Sequence, residues 1–211
     1  MPLVFLHGFL GTSLDWQPVS AYLPPCTCIG IDLPGHGNSP FTERFEIDLD
    51  IERFHLIGYS MGGRLAMRFA ALHPKRILTL TIASAHPGLL SEKEKQTRFA
   101  ADAEWAKLLL ELPIDEFLKR WYDQPLFRTY KPDFAKRRNQ DVSALSRTLM
   151  HYSLSKQMRY DLAKAVVLVG QWDEKFRALF ENPVIIPNSG HAVHLENPEG
   201  TALAIKRRIF P

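Results

Sequence analysis

Short apolar runs rich in Val, Ile and Leu alternate along the chain with amphipathic stretches. Six of the apolar runs read as strands: residues 3–6, 28–32, 54–58, 77–83, 166–170 and 184–186. They are nearly continuous rather than alternating, as expected of parallel strands covered on both faces. A helix is predicted over 61–72, directly after a strand and stopping before His73-Pro74. Another is predicted over 198–209, with Lys206, Arg207 and Arg208 in its last turn, where cations suit the helix dipole. Alternating β and α elements predict an α/β protein with a mostly parallel, doubly wound sheet.

Residues 87–160 break the alternation. Leu108, Leu109, Leu110, Leu112, Phe117, Leu118 and Trp121 recur there at helical spacings, with almost no strand signal. The predicted organisation is therefore a core from residues 1–86 and 161–211, with 87–160 inserted as a helical cap. Ligands of such sheets bind beyond the carboxyl ends of the strands. A cap there shapes the pocket and excludes water.

Composition narrows the field. The 211 residues suit one domain with a sizeable core. The formal charge of +3 is too small to argue for nucleic acid. No apolar run reaches the roughly 20 residues of a membrane helix, and the first eight residues lack the basic start of a signal peptide. Cys26 and Cys28 are too close in sequence for an unstrained bridge. They read as small strand residues in a reducing, cytoplasmic setting.

The strongest chemical motif is Gly58-Tyr59-Ser60-Met61-Gly62, a G-x-S-x-G flanked by a strand and a helix. That context makes it a nucleophile elbow, in which a tight turn holds the serine oxygen up into the site. Among the eight histidines, His191 sits between the last strand and the last helix and is the candidate base. His194 is the runner-up, as a second pocket residue. His55 and His73 read as structural. Asp173, after the strand 166–170, is the candidate orienting acid, with Glu174 the neighbouring alternative. The order Ser60, Asp173, His191 is that of the α/β-hydrolase fold. An oxyanion hole needs two backbone N–H groups, expected from Met61 and from Phe9 in the first strand-to-helix loop. Asp32 starts a Pro-Gly turn and reads as a loop anchor. Arg64, four residues after Ser60, lies on the same helical face, and Arg98 and Arg137 lie in the cap. From periodicity alone these arginines read as solvated surface; if they converge, they make a site for a polyanion.

Taken together, His7-Gly8-Phe9-Leu10-Gly11, Asp32-Leu33-Pro34-Gly35-His36-Gly37, the elbow through Arg64, Trp121-Tyr122-Asp123-Gln124-Pro125-Leu126-Phe127, Asp173-Glu174-Lys175-Phe176-Arg177 and the 190–198 stretch that holds His191 resemble one family. It is the 2-succinyl-6-hydroxy-2,4-cyclohexadiene-1-carboxylate synthases of menaquinone biosynthesis, on the α/β-hydrolase fold. The resemblance implies a lyase that eliminates pyruvate from 2-succinyl-5-enolpyruvyl-6-hydroxy-3-cyclohexene-1-carboxylate, without metal or cofactor. Ser60, activated by His191 and Asp173, is then the base, and Phe9 and Met61 supply the oxyanion hole. Tyr59, Arg64, Arg98, Trp121, Tyr122, Phe127 and Arg137 fall on the family's substrate pocket, with Arg138 adjacent to the last. The implied ligand is a small polyanion, bound by a monomer or weak homo-oligomer without nucleic acid or membrane. The family's usual two strands ahead of the His-Gly-Phe loop and several helices over the sheet look shortened. An ester or thioester hydrolase, and a trimmed scaffold that only binds, are the competing readings.

Overall fold

The computed structural model describes residues 1–210. Its sheet has six parallel strands: β1 (Leu3–Leu6), β2 (Cys28–Ile31), β3 (Phe54–Tyr59), β4 (Ile77–Ala83), β5 (Val166–Gly170) and β6 (Val184–Ile186), in the order β2-β1-β3-β4-β5-β6. Each begins where the apolar runs predict and ends within one residue of them. β1 and β3 are buried along their whole length, which explains the unbroken apolar runs.

Among the described residues eight α-helices accompany the strands, six between them and two after β6: α1 (Gln17–Ser20), α2 (Met61–Leu72), α3 (Glu92–Glu111), α4 (Ile114–Tyr122), α5 (Val142–His151), α6 (Glu174–Arg177), α7 (Val193–Glu196) and α8 (Pro198–Ile209). On one face α2 packs over β3 and β4. On the other, α1, α7 and α8 cover a core that includes Phe5, Trp16 and Ile205. The segment between β4 and β5 is helical wherever it is regular. Its α3 opens on a capping box: the Ser91 hydroxyl accepts from Glu94 N–H, and the Glu94 carboxylate accepts from Ser91 N–H. This segment has a small core of its own in Leu109, Phe117, Leu118 and Leu145, closed against Leu10 of the first loop.

The stretch ahead of β3, which looks too short for a helix, contains none. Phe45, Ile47, Leu49 and Ile51 instead turn inward in strict alternation with the exposed Glu46, Asp48, Asp50 and Glu52, and pack on the sheet core. Among the described residues no strand pairs with this extended segment. The Arg76 guanidinium holds it, donating to the carbonyls of Ile47 (3.0 Å), Leu49 (3.1 Å) and Ile51 (2.9 Å). A buried extended backbone must find such partners, and one planar fork of donors supplies three.

Candidate active site

Among the described residues, four non-glycine residues have positive φ: Leu10 (64°), Ser60 (50°), Ser84 (46°) and Asn188 (50°). Each lies just beyond the carboxyl end of a strand, β1, β3, β4 or β6. Backbone strain of this kind persists only where surrounding structure enforces it, and it gathers at functional sites.

At Ser60 the strain comes from the elbow. The turn brings α2 hard against the loop after β1: a Cβ on Gly62 would run into the carbonyl oxygens of Leu6 and His7. Ser60 N–H donates to Ala83 O at 2.9 Å, which pins the turn to β4. The Ser60 hydroxyl faces His191 Nε2 at 3.4 Å, and His191 Nδ1 donates to Asp173 Oδ2 at 2.8 Å. His191 and Asp173 are buried. The other Asp173 oxygen accepts Phe176 N–H as the cap of α6, which fixes the carboxylate toward the imidazole. The three residues are thus brought together from the ends of β3, β5 and β6. Glu174, the sequence alternative, lies 3.5 Å from Arg128.

Met61 N–H is the first amide of α2 and has no helical acceptor. Phe9 lies across from it in a loop held by two buried histidines. His7 Nδ1 donates to Gly8 O (2.7 Å) and its Nε2 accepts Leu33 N–H (2.9 Å). His36 Nδ1 donates to Pro34 O (3.1 Å) and its Nε2 accepts Leu10 N–H (3.2 Å). Both rings must be neutral to accept at Nε2. Burial drives their pKa values down, to about 3 for His7 and about 4 for His36. The Gly8 carbonyl and the Leu10 amide that flank Phe9 are therefore fixed, and Phe9, Ser60 and Met61 line one cavity of about 540 Å³.

The pocket residues named from the sequence line two cavities that share Phe9, Ser60, Trp121 and Phe127. Arg64, Arg98, Trp121 and Phe127 line the large one with the Ser60–His191–Asp173 set. Trp121 packs against Phe9 with the rings tilted by 58° and centroids 5.0 Å apart, which carries α4 over the site. Arg64 is buried, and among the described residues the only hydrogen bond of its guanidinium is donated to Tyr152 O at 2.7 Å. Burial, then the neighbouring Arg98, lowers its pKa to about 9, so it stays a cation at neutral pH. Arg98 pairs through Nε with Asp102 at 2.8 Å, and Asp102 also accepts Ser153 Oγ–H at 2.7 Å.

Arg137 does not join Arg64 and Arg98. With Tyr59 and Tyr122 it lines a smaller cavity of about 40 Å³ behind Phe9. Its guanidinium reaches both Asp15 oxygens (2.8 and 2.9 Å) and donates to Leu10 O (3.2 Å). Burial opposes its charge, but Tyr122 and Asp15 outweigh burial and raise its pKa. Here Arg137 braces the first loop. Arg138 pairs with Asp115 on the surface. His194 is fully buried between Trp16 and Tyr59, at centroid distances of 4.6 and 4.2 Å, and does not line the large cavity. Sequence reasoning missed Asp15, whose pairing spans 122 positions. It also missed His36 as a brace, although the motif that carries it was in view.

Among the described residues no group of three or more His, Cys, Asp or Glu has metal-binding geometry, and no helix is long and apolar enough to cross a membrane. Cys26 and Cys28 are free thiols, their sulfurs 3.6 Å apart.

The family model of the α/β hydrolase fold matches residues 1–176. The 2-succinyl-6-hydroxy-2,4-cyclohexadiene-1-carboxylate synthase of Enterobacter sp. (strain 638) is 35% identical over 232 aligned positions, covering 96% of this chain and 89% of the relative. Its counterpart in Salmonella paratyphi C is 35% identical over 227, covering 94% and 89%. The solved structure of MenH from S. aureus superposes with a TM-score of 0.82 at 25% identity, covering 97% of this chain and 91% of that one. An esterase from Thermogutta terrifontis shares the fold at 22% identity, with a TM-score of 0.68 and coverage of 99% and 89%.

Proposed function

The chain belongs to the 2-succinyl-6-hydroxy-2,4-cyclohexadiene-1-carboxylate synthase family of the α/β-hydrolase fold, and from that premise we propose that it is the lyase its relatives' name describes, acting through Ser60, His191 and Asp173. The substrate is 2-succinyl-5-enolpyruvyl-6-hydroxy-3-cyclohexene-1-carboxylate. Comparing substrate and product locates the chemistry. The proton on ring carbon 2 leaves, the 3,4 double bond becomes a 2,3 and a 4,5 double bond, and the bond from carbon 5 to the enolpyruvyl oxygen breaks. The released enolpyruvate takes up a proton on carbon and becomes pyruvate, so atoms and charge balance without a redox partner.

Each residue then has a role. His191 draws the proton from the Ser60 hydroxyl, Asp173 fixes the imidazole tautomer and steadies the imidazolium, and the Ser60 oxygen removes the proton from carbon 2. That proton is acidic because it lies next to the succinyl ketone. Charge gathers on the ketone oxygen as the proton leaves, and in this reading the amides of Phe9 and Met61 receive it.

The observation that carries this reading over ester hydrolysis is Arg64. A buried guanidinium without a carboxylate partner, one helical turn from the serine, is costly unless an anion completes it. A plain ester offers none, whereas this substrate carries several carboxylates. Arg98, Trp121 and Phe127 complete the pocket, while Tyr59, Tyr122 and Arg137 support it from behind Phe9. The reading puts the enzyme in the cytoplasm, which the two unbridged thiols support.

The test offers the purified chain two substrates in parallel, the enolpyruvyl compound and an activated ester. The expected result is pyruvate formed one for one with the diene acid, with ester turnover far slower and Arg64→Ala raising KM for the enolpyruvyl compound. Fast ester turnover with a burst of acyl-enzyme, and no pyruvate above the uncatalysed rate, would refute it.

A further inference from the structure

The Lys175-Phe176-Arg177 run contributes to the resemblance but has no part in the mechanism above. Electrostatics of the large cavity gives its lysine a role. Among the charged side chains lining that cavity, Arg98 is matched by Asp102, Arg128 faces Glu174 at 3.5 Å, and Asp173 is matched by His191. Two cations remain with no carboxylate within 4.0 Å among the described residues, Arg64 and Lys175. They stand on opposite sides of the reacting residues. Arg64 is four positions after Ser60, on α2 behind β3. Lys175 is two positions after Asp173, on α6 behind β5.

β4 lies between β3 and β5 in the sheet, so the residues at its end lie between the two cations. They include Ser84 and His86, which both line the cavity. The Ser84 hydroxyl is buried and lacks a hydrogen-bond partner. Gly88 N–H donates to His86 Nδ1 at 3.1 Å, which leaves the ring proton on Nε2. Burial, and then Arg159, Arg98 and Lys175, keep this imidazole neutral, with its pKa near 4. The wall between Arg64 and Lys175 thus offers hydrogen-bond donors and no anion.

We propose that Lys175, with the His86 Nε2–H on the adjoining wall, forms a second carboxylate subsite, which takes the end of the substrate's succinyl arm while Arg64 takes a carboxylate on the ring. This rests on the function proposed above and deepens it: the pocket selects a molecule with carboxylates on both sides of the reacting carbon. A cation at each end fixes orientation as well as affinity, because a monocarboxylate satisfies only one of them.

Calorimetric titration with 2-succinylbenzoate, an aromatic diacid bearing the same arm, tests the subsite, with the amide of its arm carboxyl as control. Lys175 is exposed at the rim, so Lys175→Gln leaves the fold intact. The expected outcome is about ten-fold weaker binding of the diacid by Lys175→Gln, within the range for a charge-assisted hydrogen bond at a partly solvated site. Affinity for the amide stays the same in both proteins, and Lys175→Arg recovers most of the loss. Equal affinity of wild type and Lys175→Gln for the diacid, an equal loss for diacid and amide, or no diacid binding by the wild type overturns the subsite. Pyruvate release by the wild type, measured alongside, separates the outcomes: if release is normal, only the subsite falls; if it is absent, the function falls too.

Discussion

The Leu10 amide donates to His36 Nε2 at 3.2 Å, joining the loop after β1 to a turn 26 positions further on. Leu10 has φ 64°, a conformation a leucine keeps only when held. Phe9, whose amide is assigned to the oxyanion hole, is the residue before it. His36→Asn keeps the polarity but withdraws the acceptor from Leu10. The expected loss is about 10- to 100-fold in kcat with KM little changed, since an unpartnered buried amide costs roughly 1–3 kcal/mol. Steady-state pyruvate release measures it. A rise in KM at unchanged kcat would mean that His36 acts on binding instead.

Acid should unfold the protein through these same rings. His7 and His36 have folded pKa values of about 3 and about 4, against an ordinary value of 6.5. Above 6.5 both states are neutral, and the contribution of the neutral rings is fully present. As pH falls below 6.5 the unfolded chain takes up protons that the folded chain refuses. Stability is therefore lost from about 6.5 down to the folded values of about 4 for His36 and about 3 for His7, by up to about 1.4 kcal/mol per pH unit for each ring. Asp32 opposes the shift on both rings, and Arg137 adds to it. Urea midpoints at pH 7, 6 and 5 should fall in order, and His36→Asn should flatten the trend.

The elbow makes a prediction about Gly62. A Cβ there meets backbone carbonyls of Leu6 and His7, which cannot rotate aside. Gly62→Ala should cost about 2 kcal/mol or more, seen as a lower urea midpoint together with reduced pyruvate release. An unchanged midpoint would show that α2 can move off the loop.

Arg76 anchors the segment 45–51 through three carbonyls. Arg76→Ala should destabilise the protein by about 2–4 kcal/mol, and amide exchange should accelerate in that segment before elsewhere. Arg76→Lys should recover little, since an ammonium cannot span three carbonyls in a plane.

What the sequence discloses depends on how local the cause is. β1 and β5 are unbroken apolar runs in the middle of a covered sheet, so their limits could be read directly. The elbow is legible because G-x-S-x-G needs only the strand before it and the helix after it. The alternation from Phe45 to Glu52 was equally visible. What hid its role was Arg76, 25 to 29 positions away, which supplies the hydrogen bonds a neighbouring strand would give. Arg137 looked like Arg64 and Arg98 in sequence, but its surroundings depend on Asp15, 122 positions away. A cation's role follows from which carboxylate reaches it, and folding decides that.

The most direct test of the central claim, that Ser60 removes the ring proton, is the turnover of substrate carrying deuterium at carbon 2. Wild-type protein should release pyruvate with a primary isotope effect on kcat/KM, and Ser60→Ala should lower kcat/KM by about a thousand-fold or more. Pyruvate release by Ser60→Ala at the wild-type rate would contradict the account.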